Sequence, residues 1–165
     1  MFKQCVLVSA LLIGLTGLAS YGQSPRLKAE IKLSRTSVKN NEEFSVSTII
    51  RNTSNKEQSL VVRACGYGFQ WTSDNPFLKS AGEDCLNNAL VKVRLKAGDS
   101  YEKRVQVLAT LPAGGAPKES IAFRLGFESE RDQTAPPPAS NTAAAPRLWS
   151  NAVTVIVTRQ PASAH

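Results

Sequence analysis

Histidine is nearly absent from this chain. Its one copy, His165, is the last residue, in the polar tail RQPASAH. A Ser-His-Asp or Cys-His arrangement needs an imidazole held in place by a second residue, and a His in a fraying terminus is not held that way. The same scarcity argues against most zinc and copper sites, which lean on His and thiolate. Met1 is the only methionine, which leaves no Met/His copper carrier in any usual form. Basic runs are lacking too: the formal charge is +7, but the Lys and Arg residues are scattered. Outside one N-terminal stretch there is neither a long apolar run nor a convincing helical period. No catalytic residue, metal or cofactor is therefore expected, and the chain reads as a non-enzyme.

The one apolar run, Cys5 to Ala19, follows Lys3 and precedes the small residues Ser20 and Gly22. That order is the pattern of a secretory signal peptide, with cleavage expected after Gly22. The run is shorter than the roughly 20 residues needed to span a bilayer as a helix. No cysteine stands just after its end, as a lipoprotein would require. The expectation is an exported protein, periplasmic or secreted, that meets a membrane only through residues 1–22. Nucleic acid is not an expected partner, because an exported chain rarely meets it. An anionic surface or an acidic partner suits the charge better.

Of the three cysteines, Cys5 belongs to the leader, leaving Cys65 and Cys85. They bracket CGYGFQWTSDNPFLKSAGEDC. An exported chain with two cysteines usually pairs them. The spacing is far from the C-x-x-C of thiol oxidoreductases. A structural disulfide is expected, worth about 3 kcal/mol by constraining the unfolded chain.

The rest is a series of short alternating runs. RLKAEIKLSR puts Leu27, Ala29, Ile31 and Leu33 on one face. EEFSVSTIIRN does the same with Phe44, Val46, Thr48 and Ile50. QSLVVRACGYGFQW, NALVKVRLKAG, SYEKRVQVLATL, ESIAFRLGFES and WSNAVTVIVTR follow, separated by turn-forming clusters such as KNNEE, KAGDS and LPAGGAPKE. A period of two gives each strand one buried and one wetted face. About seven such runs predict an all-β fold: a single antiparallel β-sandwich over 23–158, with a polar tail at 159–165.

Three motifs carry a resemblance: F-x-V-x-x-x-I-x-N-x-S (Phe44 to Ser54), L-K-A-G-D-S-Y (Leu95 to Tyr101) and W-S-N-x-V-x-V-x-V (Trp149 to Val157). With them the chain resembles bacterial exported immunoglobulin-like domains. The motifs are structural, so the resemblance implies an immunoglobulin-like architecture and no particular function. Trp71 lies between Cys65 and Cys85, but at a spacing far too short for the antibody pattern. The pair is expected to tie the end of one strand to the loop after it.

Two segments are candidate binding surfaces. Tyr67, Phe69 and Trp71 alternate, so they would share one strand face, either as core or as an exposed aromatic strip. Residues 128–147, ESERDQTAPPPASNTAAAPR, are too long and too poor in apolar bulk for an ordinary connection. Pro136, Pro137 and Pro138 favour an extended polyproline conformation that could present a face, and Arg131 and Arg147 flank them. The alternative is a tolerated insertion at one end of the sandwich. Asp74, Glu83 and Asp84 share the bridged segment, without EF-hand spacing.

These features point to an exported interaction module, a monomer, acting through its loops on a protein or a cell-envelope component. A secreted proteinase inhibitor using the Pro-rich segment, supported by a loose similarity to bacterial inhibitor sandwiches, and a structural subunit of an envelope assembly are the alternatives.

Overall fold

The computed structural model describes residues 26–82, 88–130 and 147–160. It is an all-β sandwich. The strands are β1 (Leu27–Leu33), β2 (Ser37–Lys39), β3 (Glu42–Asn52), β4 (Gln58–Arg63), β5 (Trp71–Ser73) and β6 (Leu78–Ala81). They continue with β7 (Leu90–Leu95), β8 (Ser100–Ala109), β9 (Lys118–Phe123), β10 (Leu125–Phe127), β11 (Leu148–Trp149) and β12 (Val153–Thr158).

One layer is the antiparallel sheet β1-β3-β8-β6. The other is assembled from three patches, β2-β12-β9, β11-β10-β5 and β4-β7. Single breaks join them: β9 and β10 are separated only by Arg124. Beyond β10 the chain reaches β4, where the Glu130 amide donates to the Val61 carbonyl at 3.1 Å. Gln70 reinforces this seam. Its side chain, 4% exposed, donates to the Val61 and Glu128 carbonyls (3.1 and 3.2 Å) and accepts from the Arg63 amide (2.8 Å).

The alternating runs bury the faces they should. Ala29 and Ile31 of β1, Phe44, Val46 and Ile50 of β3, and Val105 and Val107 of β8 meet Ile121, Phe123, Val155 and Val157 in one cluster. Each apolar stripe finds its partner across the sandwich, which is the main driving force for the pairing.

Three differences from the sequence reading have physical causes. Twelve strands appear among the described residues instead of about seven, because several runs break in two. The β2–β12 pair is parallel, not antiparallel: the chain leaves the first sheet after β1 and joins the second beside the closing strand, as strands that switch sheets do at sandwich corners. The segment between Cys65 and Cys85 is no simple loop, since it contains a 3₁₀ turn, β5 and β6, and β6 crosses over to pair with β8.

Main-chain edges are covered by side chains. Asn151 accepts from the Ile31 amide at 2.8 Å and donates to the Ile31 carbonyl at 3.2 Å. It thereby mimics a strand on the outer edge of β1, where an open ladder would invite further pairing.

Candidate functional site

Tyr67, Phe69 and Trp71 do not share a face. A 3₁₀ turn spans Tyr67–Gln70, entered through Gly66 at φ 72°. In that geometry residues three apart eclipse, and residues two apart diverge. Tyr67 and Gln70 therefore point inward, and Phe69 points out, 57% exposed. Trp71, on the extended strand that follows, is 1% exposed. Its indole packs edge-on to Tyr67, with centroids 6.0 Å apart, and tilts against Phe127 at 5.1 Å. Burial pushes the Tyr67 hydroxyl up to about 12, so it stays protonated. The aromatic strip is thus two core residues and one surface residue.

Beside the turn lies a depression of about 430 Å³ lined by residues 64–68, Ala81 and 103–106. Lys103 spans it, donating to the Ala64 carbonyl at 3.2 Å with its ammonium 5.4 Å from the Tyr67 ring centre. Cys65 sits on its wall. Cys85, its expected partner, lies outside the described residues, as do Arg131, Pro136, Pro137, Pro138 and the leader, residues 1–22.

Arg147, the last of the sequence-predicted residues, is at a second place. It forms an ion pair with Glu128 at 3.2 Å across the two ends of the 129–146 stretch. On the incoming side, Ser129 Oγ accepts from the Val61 amide (3.0 Å) and Glu130 pairs with Arg63 (2.7 Å). Both flanks are fastened to the sandwich.

The sequence reading missed the centre of this base. Trp149, 37% exposed, lies opposite Gly126 in the β10–β11 ladder. The guanidinium carbons of Arg124 and Arg147 stand 5.4 and 5.7 Å from its ring centre, within cation–π range. Gly126 makes room for this. A methyl group there would run into the Arg147 side chain and come within 2.9 Å of Trp149 Cε3. The signal was a glycine in one strand and a tryptophan in a distant one, an aromatic covering a bare backbone, and only the register brings them together. Gly126→Ala is expected to displace Arg147 and Trp149 while leaving most of the core intact. Loss of the Trp149 near-ultraviolet signal with a small change in urea midpoint is the result to look for. An unchanged signal would show that the close approach is not needed.

Arg124 is itself held by Asp74, whose carboxylate accepts from the Arg124 amide (2.7 Å) and Nε (2.9 Å). Partial burial raises the Asp74 pKa, but the Arg124 amide, side chain and charge outweigh it and bring it below the usual 3.8. A depressed folded pKa means the pair stabilises fully above the ordinary value and is lost as pH falls through the folded one. The pair is exposed, so the effect is about 1 kcal/mol or less. Asp74→Asn should flatten the loss of stability below pH 3.8 seen in unfolding curves, and an acid limb identical to the parent would contradict this.

Among the described residues no group of three His, Cys, Asp or Glu side chains gathers in a way that could hold a metal ion, and no helix is long and apolar enough to cross a membrane.

No family model and no curated protein matches the chain. Among solved structures, it is similar to alpha-2-macroglobulin from Escherichia coli. In the cryo-EM reconstruction of the native conformation the identity is 12% and the TM-score 0.42, over 84% of this chain and 7% of that one. In the crystal structure running from domain MG7 to the C-terminus they are 12% and 0.41, over 82% and 16%. The CooA pilin subunit from enterotoxigenic E. coli is similar at 10% identity and TM-score 0.32, over 81% of this chain and 99% of that one. The chain thus spans only a small part of the macroglobulin chains.

Proposed function

We propose that this chain is an exported, non-enzymatic binding module that acts on a protein or cell-envelope component through the end of the sandwich bearing Glu128 and Arg147. The fastened base carries the reading. Two ion pairs, Glu128–Arg147 and Arg63–Glu130, and the Ser129–Val61 bonds fix both ends of the 131–146 stretch. A rigid scaffold that fixes the two ends of a connecting segment is the usual way a sandwich presents a binding loop. Export and the Cys65–Cys85 staple belong to the same reading, and both have a direct check. The secreted protein should start near residue 23, and its unreduced mass should be lower than the reduced one by two hydrogens.

The functional test is crosslinking with the exported protein as bait, beside a variant in which residues 131–146 are replaced by a short Gly-Ser turn. A partner held by the parent and lost by the variant supports the reading. The same partner held by both overturns it.

A further inference from the structure

We infer that the flank along the first half of β8 is an interface for a second copy of this chain, the two β8 strands pairing antiparallel about Lys103. β8 pairs with β3 along its whole length, but on its other side β6 covers only Gln106–Ala109. Backbone groups alternate between the two neighbours of a strand. The Asn52 amide donates to the Asp99 carbonyl, and the Thr110 amide to the Phe77 carbonyl. In that phase Tyr101, Lys103 and Val105 bond toward β3, while Glu102 and Arg104 turn their N–H and C=O groups to the uncovered side. Those groups meet no partner among the described residues. Asn151 fills the corresponding place on β1; no described side chain does so here.

There is room for a strand. After Ala81 the chain turns away from β8, and Gly82 lies so close to the Phe69 ring that a methyl group there would overlap it. The space left beside β8 is the depression of about 430 Å³ lined by Gly68, Ala81 and residues 103–106. An open ladder with room beside it is where a further strand adds.

The side chains favour a copy of β8 itself. If Glu102 or Arg104 lies opposite its own copy, like charges face each other. A shift of two residues sets Glu102 opposite Arg104 of the second copy, and Arg104 opposite Glu102 of the second copy. Both side chains are exposed, so one two-fold axis creates two cross-strand ion pairs. The same register satisfies the open groups of both strands with about four main-chain hydrogen bonds. Lys103 meets its own copy at the axis, but its ammonium is drawn inward to the Ala64 carbonyl and the Tyr67 ring.

β7 offers the contrast. Among the described residues it pairs only with β4. The Ala64 amide donates to the Ala89 carbonyl, a phase that turns Leu90, Lys92 and Arg94 outward. Two copies meeting there would set Lys92 against itself or against Arg94. Like charges of this kind guard an edge. The β8 edge carries one charge of each sign and complements itself.

Sedimentation equilibrium of the whole exported protein tests this with two charge reversals. The parent is expected to dimerise reversibly and weakly, since the ladder is short. Glu102→Arg and Arg104→Glu each make both ion pairs repulsive and should raise the dissociation constant about tenfold. Mixed together, the two variants face each other with opposite charges and should associate within about threefold of the parent. Damage to either fold would not be repaired by mixing, and urea midpoints should stay near the parent's because both positions are exposed. A parent that is still monomeric at about 1 mM would overturn the interface. So would a dimer indifferent to both reversals, or a mixture no tighter than either variant alone.

Discussion

Replacing Trp71 with alanine is expected to destabilise the sandwich by about 3–5 kcal/mol, the range for removing a buried large aromatic. That is a large share of the roughly 5–15 kcal/mol by which a domain is stable. Trp71 is 1% exposed and sits where the layers are joined. Its ring touches Tyr67 and Phe127, and its strand pairs with β10. Trp71→Phe should cost far less, because most of the volume and its contacts remain. Phe69→Ala removes a ring that is 57% exposed and should stay within about 1 kcal/mol. Urea unfolding of the three variants gives the ranking. A Phe69→Ala midpoint as low as that of Trp71→Ala would contradict the placement of the aromatics.

That contrast shows where the sequence was readable. Regular strands declare their inner faces locally: Phe44, Val46, Thr48 and Ile50 alternate and are all buried, because a period of two needs no partner to be seen. Tyr67, Phe69 and Trp71 also alternate, but Gly66 opens a 3₁₀ turn between them, and alternation then no longer means a common face. The split of the first run into β1 and a parallel β2 depends on where β12 arrives, a contact between residues far apart in the chain. The base at Trp149 was hidden for the same reason. Arg124 and Arg147 were visible as charges, but their convergence on one ring comes only from the β10–β11 pairing.

Asn52 was legible as a turn residue in N-x-S, yet its weight comes from burial. It is 0% exposed. Its amide group donates to the carbonyls of Lys56, Leu95 and Lys96 at 2.8, 2.9 and 3.0 Å. Its Oδ1 accepts from Ser54 N and Oγ at 2.9 and 2.8 Å. One side chain thus ties the end of β3, in the first layer, to the turn before β4 and the end of β7, in the second. Asn52→Ala should cost about 2–4 kcal/mol, since it strands several polar groups away from water. Asn52→Asp sharpens the test. The carboxylate keeps the bonds from Ser54 but turns its other oxygen toward three carbonyls. Burial and those carbonyls disfavour the charged form, so the new group's folded pKa would lie above its unfolded one, near 3.9. The sign is then opposite to that of Asp74. Relative to the parent, the variant should be closest in stability below about pH 4 and lose ground as pH rises through the folded pKa. Thermal unfolding at pH 4 and pH 7 measures this directly. A difference from the parent that is the same at both pH values would mean that the Asn52 amide does not face those carbonyls in solution.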